Sequence, residues 1–210
     1  MNRRHFNAAL LGLLMATGFH VQAKAAGPIL ILGDSLSAEY GLKRGTGWVA
    51  LLEQRLRREG KASVVVNASI SGDTTSGGLS RLPPLLAQYR PHLVVVELGG
   101  NDALRGLPIR STRDNLTAIV QACQAQGAKV LLLGMQMPPN YGPQYGAQFA
   151  ALYADVAKAK RTALVPFFLT GVADVAQSEQ WFQSDRIHPV EAAQPILLNN
   201  VWPVLVKLIA

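Results

Sequence analysis

The chain has 210 residues, of which 49% are hydrophobic and 16% are charged, which is typical of one globular domain with a sizeable core. Its formal net charge is +7, but the basic residues between positions 43 and 61 match the solvated face of one helix. A nucleic-acid-binding protein would need a larger basic field with interleaved aromatic residues. Cys123 is the single cysteine, so an intramolecular disulfide is excluded and the core is held by packing alone.

The first 25 residues have the features of a cleavable signal peptide. Arg3 and Arg4 form a positively charged start, and the apolar stretch over residues 8–19 is too short to span a membrane. Ala23-Lys24-Ala25 is a cleavage site of the small-x-small type. The paired arginines are also typical of the twin-arginine export route. The other interpretation, a buried N-terminal helix, lacks a capping residue.

We therefore expect a bacterial protein that is periplasmic or secreted, with a signal peptide over residues 1–25 and one domain over residues 26–210. After cleavage no stable membrane insertion is expected, because no similar apolar run follows. The mature chain would carry seventeen basic and thirteen acidic residues, so its formal charge would be +4. This mild basicity points to no particular macromolecular partner.

Five short apolar runs follow in chain order. Each is continuous and rich in Val, Leu and Ile, as expected of strands that are buried on both faces. The runs are Pro28–Leu32, Val64–Asn67, Leu93–Leu98, Lys129–Leu133 and, more weakly, Ala163–Phe167.

Amphipathic helical patterns lie between these runs. One of them has Leu116, Ile119, Val120 and Cys123 at the i, i+3, i+4, i+7 spacing of a helix, so Cys123 is predicted to be a small buried apolar residue and not a nucleophile. Alternating strands and helices predict a parallel sheet covered by helices on both faces. The predicted fold class is therefore α/β: a three-layer α/β/α sandwich with a flavodoxin-like sheet.

A serine follows the first predicted strand directly, in Gly33-Asp34-Ser35-Leu36. In parallel α/β sheets, ligands bind at the carboxyl ends of the strands, so Ser35 lies where a nucleophile would be expected. Asp and Ser are equally typical of a helix cap, so the turn alone does not decide between the two roles. The G-x-S-x-G motif of the α/β hydrolases is absent from the chain, which argues against that family.

A nucleophilic serine requires a base, and only two histidines follow the predicted signal peptide. His92 precedes the third strand and is therefore expected at the opposite, amino-terminal edge of the sheet. His188 lies in Asp185-Arg186-Ile187-His188-Pro189, before the C-terminal helical segment. The three-residue spacing lets Asp185 orient the imidazole and stabilise its protonated form, as in a serine hydrolase triad. The alternative role of Asp185 is that of a helix cap.

Two further turns at the predicted carboxyl edge offer hydrogen-bond donors for an oxyanion. Gly72 can present an unobstructed backbone N–H, and Asn101 can present a side-chain amide. Both residue types are also common in ordinary turns. Three acids beside these positions, Asp34 among them, have no role beyond turn hydrogen bonding that the sequence indicates. Glu97, an acid at the end of an apolar strand, is unexplained, although it could position the Asn101 turn.

Four separated motifs, taken in order, resemble the GDSL esterases of the SGNH hydrolase superfamily. They are Gly-Asp-Ser-Leu at 33–36, Gly72 in Ser-Gly-Asp, Gly-Gly-Asn-Asp at 99–102 and Asp-x-x-His-Pro at 185–189. The resemblance spans residues 26–210 and implies the SGNH hydrolase fold.

This resemblance also implies the roles of individual residues. Ser35 would be the nucleophile, His188 the base and Asp185 the group that orients it. The oxyanion hole would be formed by the N–H groups of Ser35 and Gly72 and by the Asn101 amide. Two departures flank the base: Arg186 stands where relatives often have glycine, and Val190 where they often have asparagine.

The expected function is that of a secreted serine esterase. It would hydrolyse aryl esters, acyl thioesters and lysophospholipids through an acyl-serine intermediate, as a monomer without a cofactor. Asp185 and His188 are too few ligands for a zinc site, which usually takes three. Two alternatives remain open at this stage: a polysaccharide O-deacetylase with the same catalytic group, and a non-enzymatic flavodoxin-like binding module in which every motif is a turn.

Overall fold

The computed structural model describes residues 27–209, so the predicted signal peptide lies outside the described residues. All five predicted strands are present and form one parallel sheet. They are β1 (Ile29–Gly33), β2 (Val65–Asn67), β3 (Leu93–Glu97), β4 (Lys129–Leu133) and β5 (Ala163–Val165). Their order in the sheet is β2-β1-β3-β4-β5, which is the flavodoxin-like order predicted from the sequence.

Helices connect the strands and cover the sheet. They are α1 (Trp48–Arg58), α2 (Thr75–Tyr89), α3 (Gly100–Leu104), α4 (Ile109–Ala125), α5 (Pro143–Lys160) and α6 (Gln194–Leu208). Helix α1 packs against α6, whereas α4 packs between α2 and α5. The three-layer α/β/α sandwich is thereby confirmed.

The core lies on both faces of the sheet. Every residue of β1 and β3 is buried, which explains why their sequences are continuous apolar runs without alternation. Cys123 is fully buried on α4, and burial raises the pKa of its thiol to about 12. A thiol in this environment is not a nucleophile, as the helical pattern predicted.

The strand ends differ slightly from the predicted limits. β5 ends at Val165 and not at Phe167, because Pro166 has no N–H to continue the ladder. β3 ends at Glu97, one residue earlier than predicted.

Within residues 27–209 we find no helix long and apolar enough to cross a membrane. In the same part of the chain, no three His, Cys, Asp or Glu side chains come close enough together to hold a metal ion.

Candidate active site

The candidate residues lie at the point of the sheet where the order of strand addition reverses, between β1 and β3. β1 pairs with β2 on one side and with β3 on the other, so the connections that leave β1 and β3 diverge at their carboxyl ends. Ser35 follows β1, Gly72 follows β2, and Asn101 lies in α3 directly after β3. This is the crevice in which open α/β sheets bind ligands.

Ser35, His188 and Asp185 form a hydrogen-bonded chain. The Ser35 hydroxyl Oγ lies 2.8 Å from His188 Nε2, although the two residues are 153 positions apart in sequence. On the other side of the ring, His188 Nδ1 lies 2.6 Å from Asp185 Oδ2. A carboxylate can only accept, so Nδ1 carries the proton and Nε2 is left to accept the serine proton.

Asp185 is held as an anion by its own loop. Its Oδ1 accepts the backbone N–H groups of Ile187 at 2.9 Å and of His188 at 3.0 Å. Desolvation by burial opposes ionisation, but the hydrogen bonds from His188 and Ile187 and the charge of the imidazole outweigh it and lower the pKa of Asp185 to about 2. The carboxylate is therefore ionised at neutral pH and fixes the ring tautomer.

The loop that carries Asp185 and His188 is a narrow hairpin. Phe182 and Pro189 form an antiparallel bridge, and the Gln183 N–H donates to the His188 carbonyl at 2.8 Å. The Gln183 side chain reaches across to the Tyr40 carbonyl at 2.9 Å, which ties this hairpin to the segment after Ser35. Arg186 has a φ of 58°, a left-handed conformation that favours glycine. This conformation explains why glycine suits the position and why arginine there carries backbone strain.

Sequence reasoning did not identify Tyr40 as part of this site. Its ring packs on the His188 imidazole, with centroids 4.3 Å apart and a tilt of 38°. The imidazole of His188 is therefore covered on this side by an aromatic ring. In the sequence, Tyr40 is marked only by its position five residues after Ser35. No pattern there indicates that its ring contacts residue 188.

Asn101 is oriented by Asp34. The amide Nδ2 of Asn101 donates to Asp34 Oδ2 at 2.9 Å, while Asp34 Oδ1 accepts the Leu36 N–H at 3.0 Å. One of the two amide hydrogens of Asn101 is thus engaged and the other is available to a ligand. The sequence indicated only a turn role for Asp34, so this contact is new information from the structure.

Two backbone donors accompany that amide. Within residues 27–209, the N–H groups of Ser35 and Gly72 donate to no backbone carbonyl and no side chain. Gly72 has a φ of 80°, which only glycine adopts without strain. Unpaired N–H groups at the edge of a crevice are available to stabilise an oxyanion.

Arg81 anchors the Gly72 loop against β1. The Ile70 N–H donates to the Gly33 carbonyl at 3.0 Å, which continues the pairing of this region with β1. From α2, the Arg81 guanidinium donates to the carbonyls of Gly33 and Ala68, and its Nε lies 2.7 Å from Asp73 Oδ2. These contacts fix Gly72 relative to the Ser35 turn.

His92 is remote from this site, as the sequence predicted. It precedes β3 at the amino-terminal edge, and its ring contacts the Gly27 carbonyl. The turn acid Asp102 is a buried structural group: Oδ2 accepts the Thr75 N–H at 2.8 Å, and Oδ1 contacts the Thr75 hydroxyl.

Known proteins resemble this chain in sequence and in fold. Residues 31–194 match the model of the GDSL-like lipase/acylhydrolase family. Esterase TesA from Pseudomonas aeruginosa is 54% identical over 202 residues, which cover 96% of this chain and 99% of that protein. Thioesterase 1/protease 1/lysophospholipase L1 from Escherichia coli K12 is 47% identical over 178 residues, 85% of this chain and 83% of that protein. The crystal structure of the psychrotrophic esterase EstA from Pseudoalteromonas, inhibited by monoethylphosphonate, has a TM-score of 0.80 at 41% identity, covering 86% of this chain and 97% of that chain.

The hydrogen bonds of Asp185 predict a pH-dependent contribution to stability. Because folding lowers the pKa of this carboxyl from 3.8 to about 2, its stabilising contribution is complete above the unfolded value and is lost as the pH falls from about 4 to about 2. Asp185→Asn should flatten this part of the curve, measured as the free energy of unfolding in urea at several pH values. The side chain is 36% exposed, so solvent screening keeps the effect small. Asp114→Asn, in an exposed ion pair on α4, is the control; an equal change in that variant would contradict the assignment.

Proposed function

We propose, from the premise that this chain belongs to the GDSL-like lipase/acylhydrolase family and is an ester hydrolase, that Ser35 is its nucleophile, His188 its general base and Asp185 the residue that orients the base. The observation that carries the proposal is the chain of hydrogen bonds from Ser35 Oγ through the imidazole to Asp185. As a hydrolase, the chain is not the non-enzymatic binding module that the sequence alone left open.

The reaction then proceeds by acyl transfer. Ser35 Oγ attacks the acyl carbonyl as its proton passes to His188 Nε2, and Asp185 stabilises the imidazolium that forms. His188 returns this proton to the leaving alcohol or thiol when the tetrahedral intermediate collapses to an acyl-serine. Water, deprotonated by the same imidazole, hydrolyses the acyl-serine and restores the enzyme.

The oxyanion of both tetrahedral intermediates is stabilised by three donors: the N–H groups of Ser35 and Gly72 and the Asn101 amide. Support comes from the two N–H groups, which have no partner within residues 27–209, and from the Asn101 amide, of which one hydrogen is bound by Asp34 and the other has no partner in the same range. Preorganised donors of this kind contribute mainly in the transition state, where the negative charge develops.

The substrates we propose are aryl esters, acyl thioesters and lysophospholipids. Large apolar side chains lie exposed beside the site residues in sequence: Tyr40 after Ser35, Ile70 before Gly72, Leu104 after Asn101 and Ile187 before His188, with exposures between 39% and 53%. Apolar surface of this kind is favourable for an acyl chain. A polysaccharide O-deacetylase would instead need a polar surface around a small acyl pocket.

We further propose that the protein is exported, acts in the periplasm or outside the cell, and is a monomer. The support for export is the sequence of residues 1–25, with its paired arginines, apolar stretch and small-residue cleavage site. N-terminal sequencing of the protein recovered from a periplasmic fraction tests export, because it should begin near Ala26.

Ser35→Ala should abolish turnover of a short-chain aryl ester and labelling by a fluorophosphonate probe, because only an activated serine reacts with either. The fold should be retained, since only one hydroxyl is removed, and circular dichroism checks this. His92→Gln is the matched control, because His92 lies at the opposite edge of the sheet; it should turn over and label like the parent. Turnover by Ser35→Ala at near the parental rate would refute the proposal.

Acyl-chain length tests the substrate class. Along a series of p-nitrophenyl esters from acetyl to octanoyl, kcat/KM should rise by about two- to fourfold per added methylene, since burial of one CH2 contributes about 0.8 kcal/mol. Ile70→Ser and Leu104→Ser should each reduce the preference for octanoyl over acetyl by at least about threefold. The control is Val64→Ser, which changes an exposed valine at the other edge of the sheet. A preference for acetyl in the parent would instead favour the O-deacetylase.

Asn101→Ala separates an oxyanion donor from a turn residue. Loss of a donor used only in the transition state should lower kcat by about 10² to 10³ with little change in KM. Loss of a turn hydrogen bond would instead cost about 1 kcal/mol of stability and leave kcat of the folded protein unchanged. Measuring kcat, KM and the urea midpoint on one preparation distinguishes the two; normal kcat with reduced stability would contradict the assignment.

A further inference from the structure

Glu97 is an acid in an apolar setting that the reaction itself does not use. It is the last residue of β3, lies opposite Gly33 of β1 and is fully buried. Its Oε2 accepts the Ser37 hydroxyl at 2.8 Å and the Asp34 N–H at 3.3 Å. Its Oε1 has no hydrogen-bond partner among the described residues. Burying a carboxylate with one unpaired oxygen lowers the stability of the fold, so an acid at this position needs an explanation other than packing.

The contacts of Glu97 lead to the oxyanion hole through one residue. Asp34 is 2% exposed; its N–H donates to Glu97, and its carboxylate accepts from the Asn101 amide. The carboxyl groups of Glu97 and Asp34 are also within hydrogen-bonding contact of each other. Glu97 therefore fixes the position of Asp34 from the protein interior, and Asp34 in turn fixes the direction of the Asn101 amide.

The surroundings of Glu97 favour its neutral, protonated form. Desolvation by burial, together with the charge of Asp34, raises the pKa of Glu97 well above its ordinary value. Burial also raises the pKa of Asp34, to about 6, so at neutral pH Asp34 is the ionised member of the pair. A protonated Glu97 has a hydroxyl that can donate to the Asp34 carboxylate, which removes the problem of the unpaired oxygen.

The hydrogen bonds continue into the helical layer. The Trp48 indole Nε1 donates to Ser37 Oγ at 3.1 Å, and the Asn67 amide donates to the Ser37 carbonyl at 2.7 Å. Glu97 therefore connects the first residue of α1 and the end of β2 to the group that holds Asn101. A side chain that only filled space would not need polar partners in a region this apolar.

We propose that Glu97 is a positioning residue for the hydrolysis: through Asp34 it fixes the direction of the Asn101 amide N–H that the oxyanion receives. The inference rests on the proposed function of Asn101. If Glu97 acts by aligning the Asn101 amide, a change at Glu97 should lower kcat only while that amide is present.

A double-mutant cycle with Asn101→Ala tests the proposal. Glu97→Leu should lower kcat about tenfold with KM changed less than about twofold, because a misdirected donor weakens transition-state stabilisation and not substrate binding. In the Asn101→Ala background, Glu97→Leu should lower kcat by less than about twofold, because the donor it positions is already gone. Glu97→Gln should stay within about threefold of the parent, because its neutral amide can also donate to Asp34.

Several outcomes would overturn the inference. An equal loss from Glu97→Leu in both backgrounds would mean a general structural role, and normal kcat in folded Glu97→Leu would mean no role. A loss in Glu97→Gln as large as in Glu97→Leu would refute a neutral donor. Normal kcat in Asn101→Ala alone would instead refute the proposed oxyanion donor, so the two failures are distinguishable.

Two further variants keep the cycle interpretable. If Glu97→Leu does not fold, Glu97→Asp takes its place in the cycle, because it shortens the acid without removing its polarity. The expected dependence on Asn101 is the same. Glu53→Leu, on the exposed side of α1, controls for replacing a glutamate by leucine and should leave kcat at the parental value.

Discussion

The pairing of β1 with β3 is the constraint on which the site depends. The two strands run in register over five residues, so Gly33 and Glu97 end side by side at the carboxyl edge. From this common end the chain turns one way into Asp34 and Ser35 and the other way into the Asn101 turn. The proposed nucleophile, the proposed oxyanion donor and the acids beside them are therefore placed by backbone pairing before any side-chain contact forms. A shift of register by one residue would reverse the face of every following side chain.

The surroundings shift the pKa values of two carboxyl groups near Ser35 in opposite directions. Asp185 lies at the surface and accepts several hydrogen bonds, so its pKa falls to about 2, whereas burial raises the pKa of Asp34 to about 6. The charge on His188 opposes this rise in the pKa of Asp34 but does not outweigh burial. The same residue type therefore has two different pKa values within one site, set by hydrogen bonds in one case and by burial in the other.

The fold and most of the candidate site could be predicted from the sequence, because they depend on short patterns of neighbouring residues. Continuous apolar runs identify buried parallel strands, and the residues after such a run lie at the carboxyl edge. Ser35 and Asn101 were identified as candidates in this way. His188 was found by elimination, since His92 precedes a strand. The contacts of Asp34, Tyr40 and Glu97 could not be predicted, because each joins segments that are distant in sequence and depends on side-chain direction. The left-handed backbone of Arg186 was equally inaccessible, although the departure from glycine marked the position.

The hairpin that carries Asp185 and His188 differs from the rest of the candidate site in how it is held. Ser35, Gly72 and Asn101 adjoin strands of the central sheet, whereas Asp185 and His188 lie on a hairpin closed by the bridge between Phe182 and Pro189 and joined to the Ser35 side through Gln183. Segments with few buried contacts open at a lower free-energy cost than the sheet. Warming should therefore separate Asp185 and His188 from Ser35 while the sandwich is still folded, so we expect the upper temperature limit of activity to be set by this hairpin and not by the melting of the core.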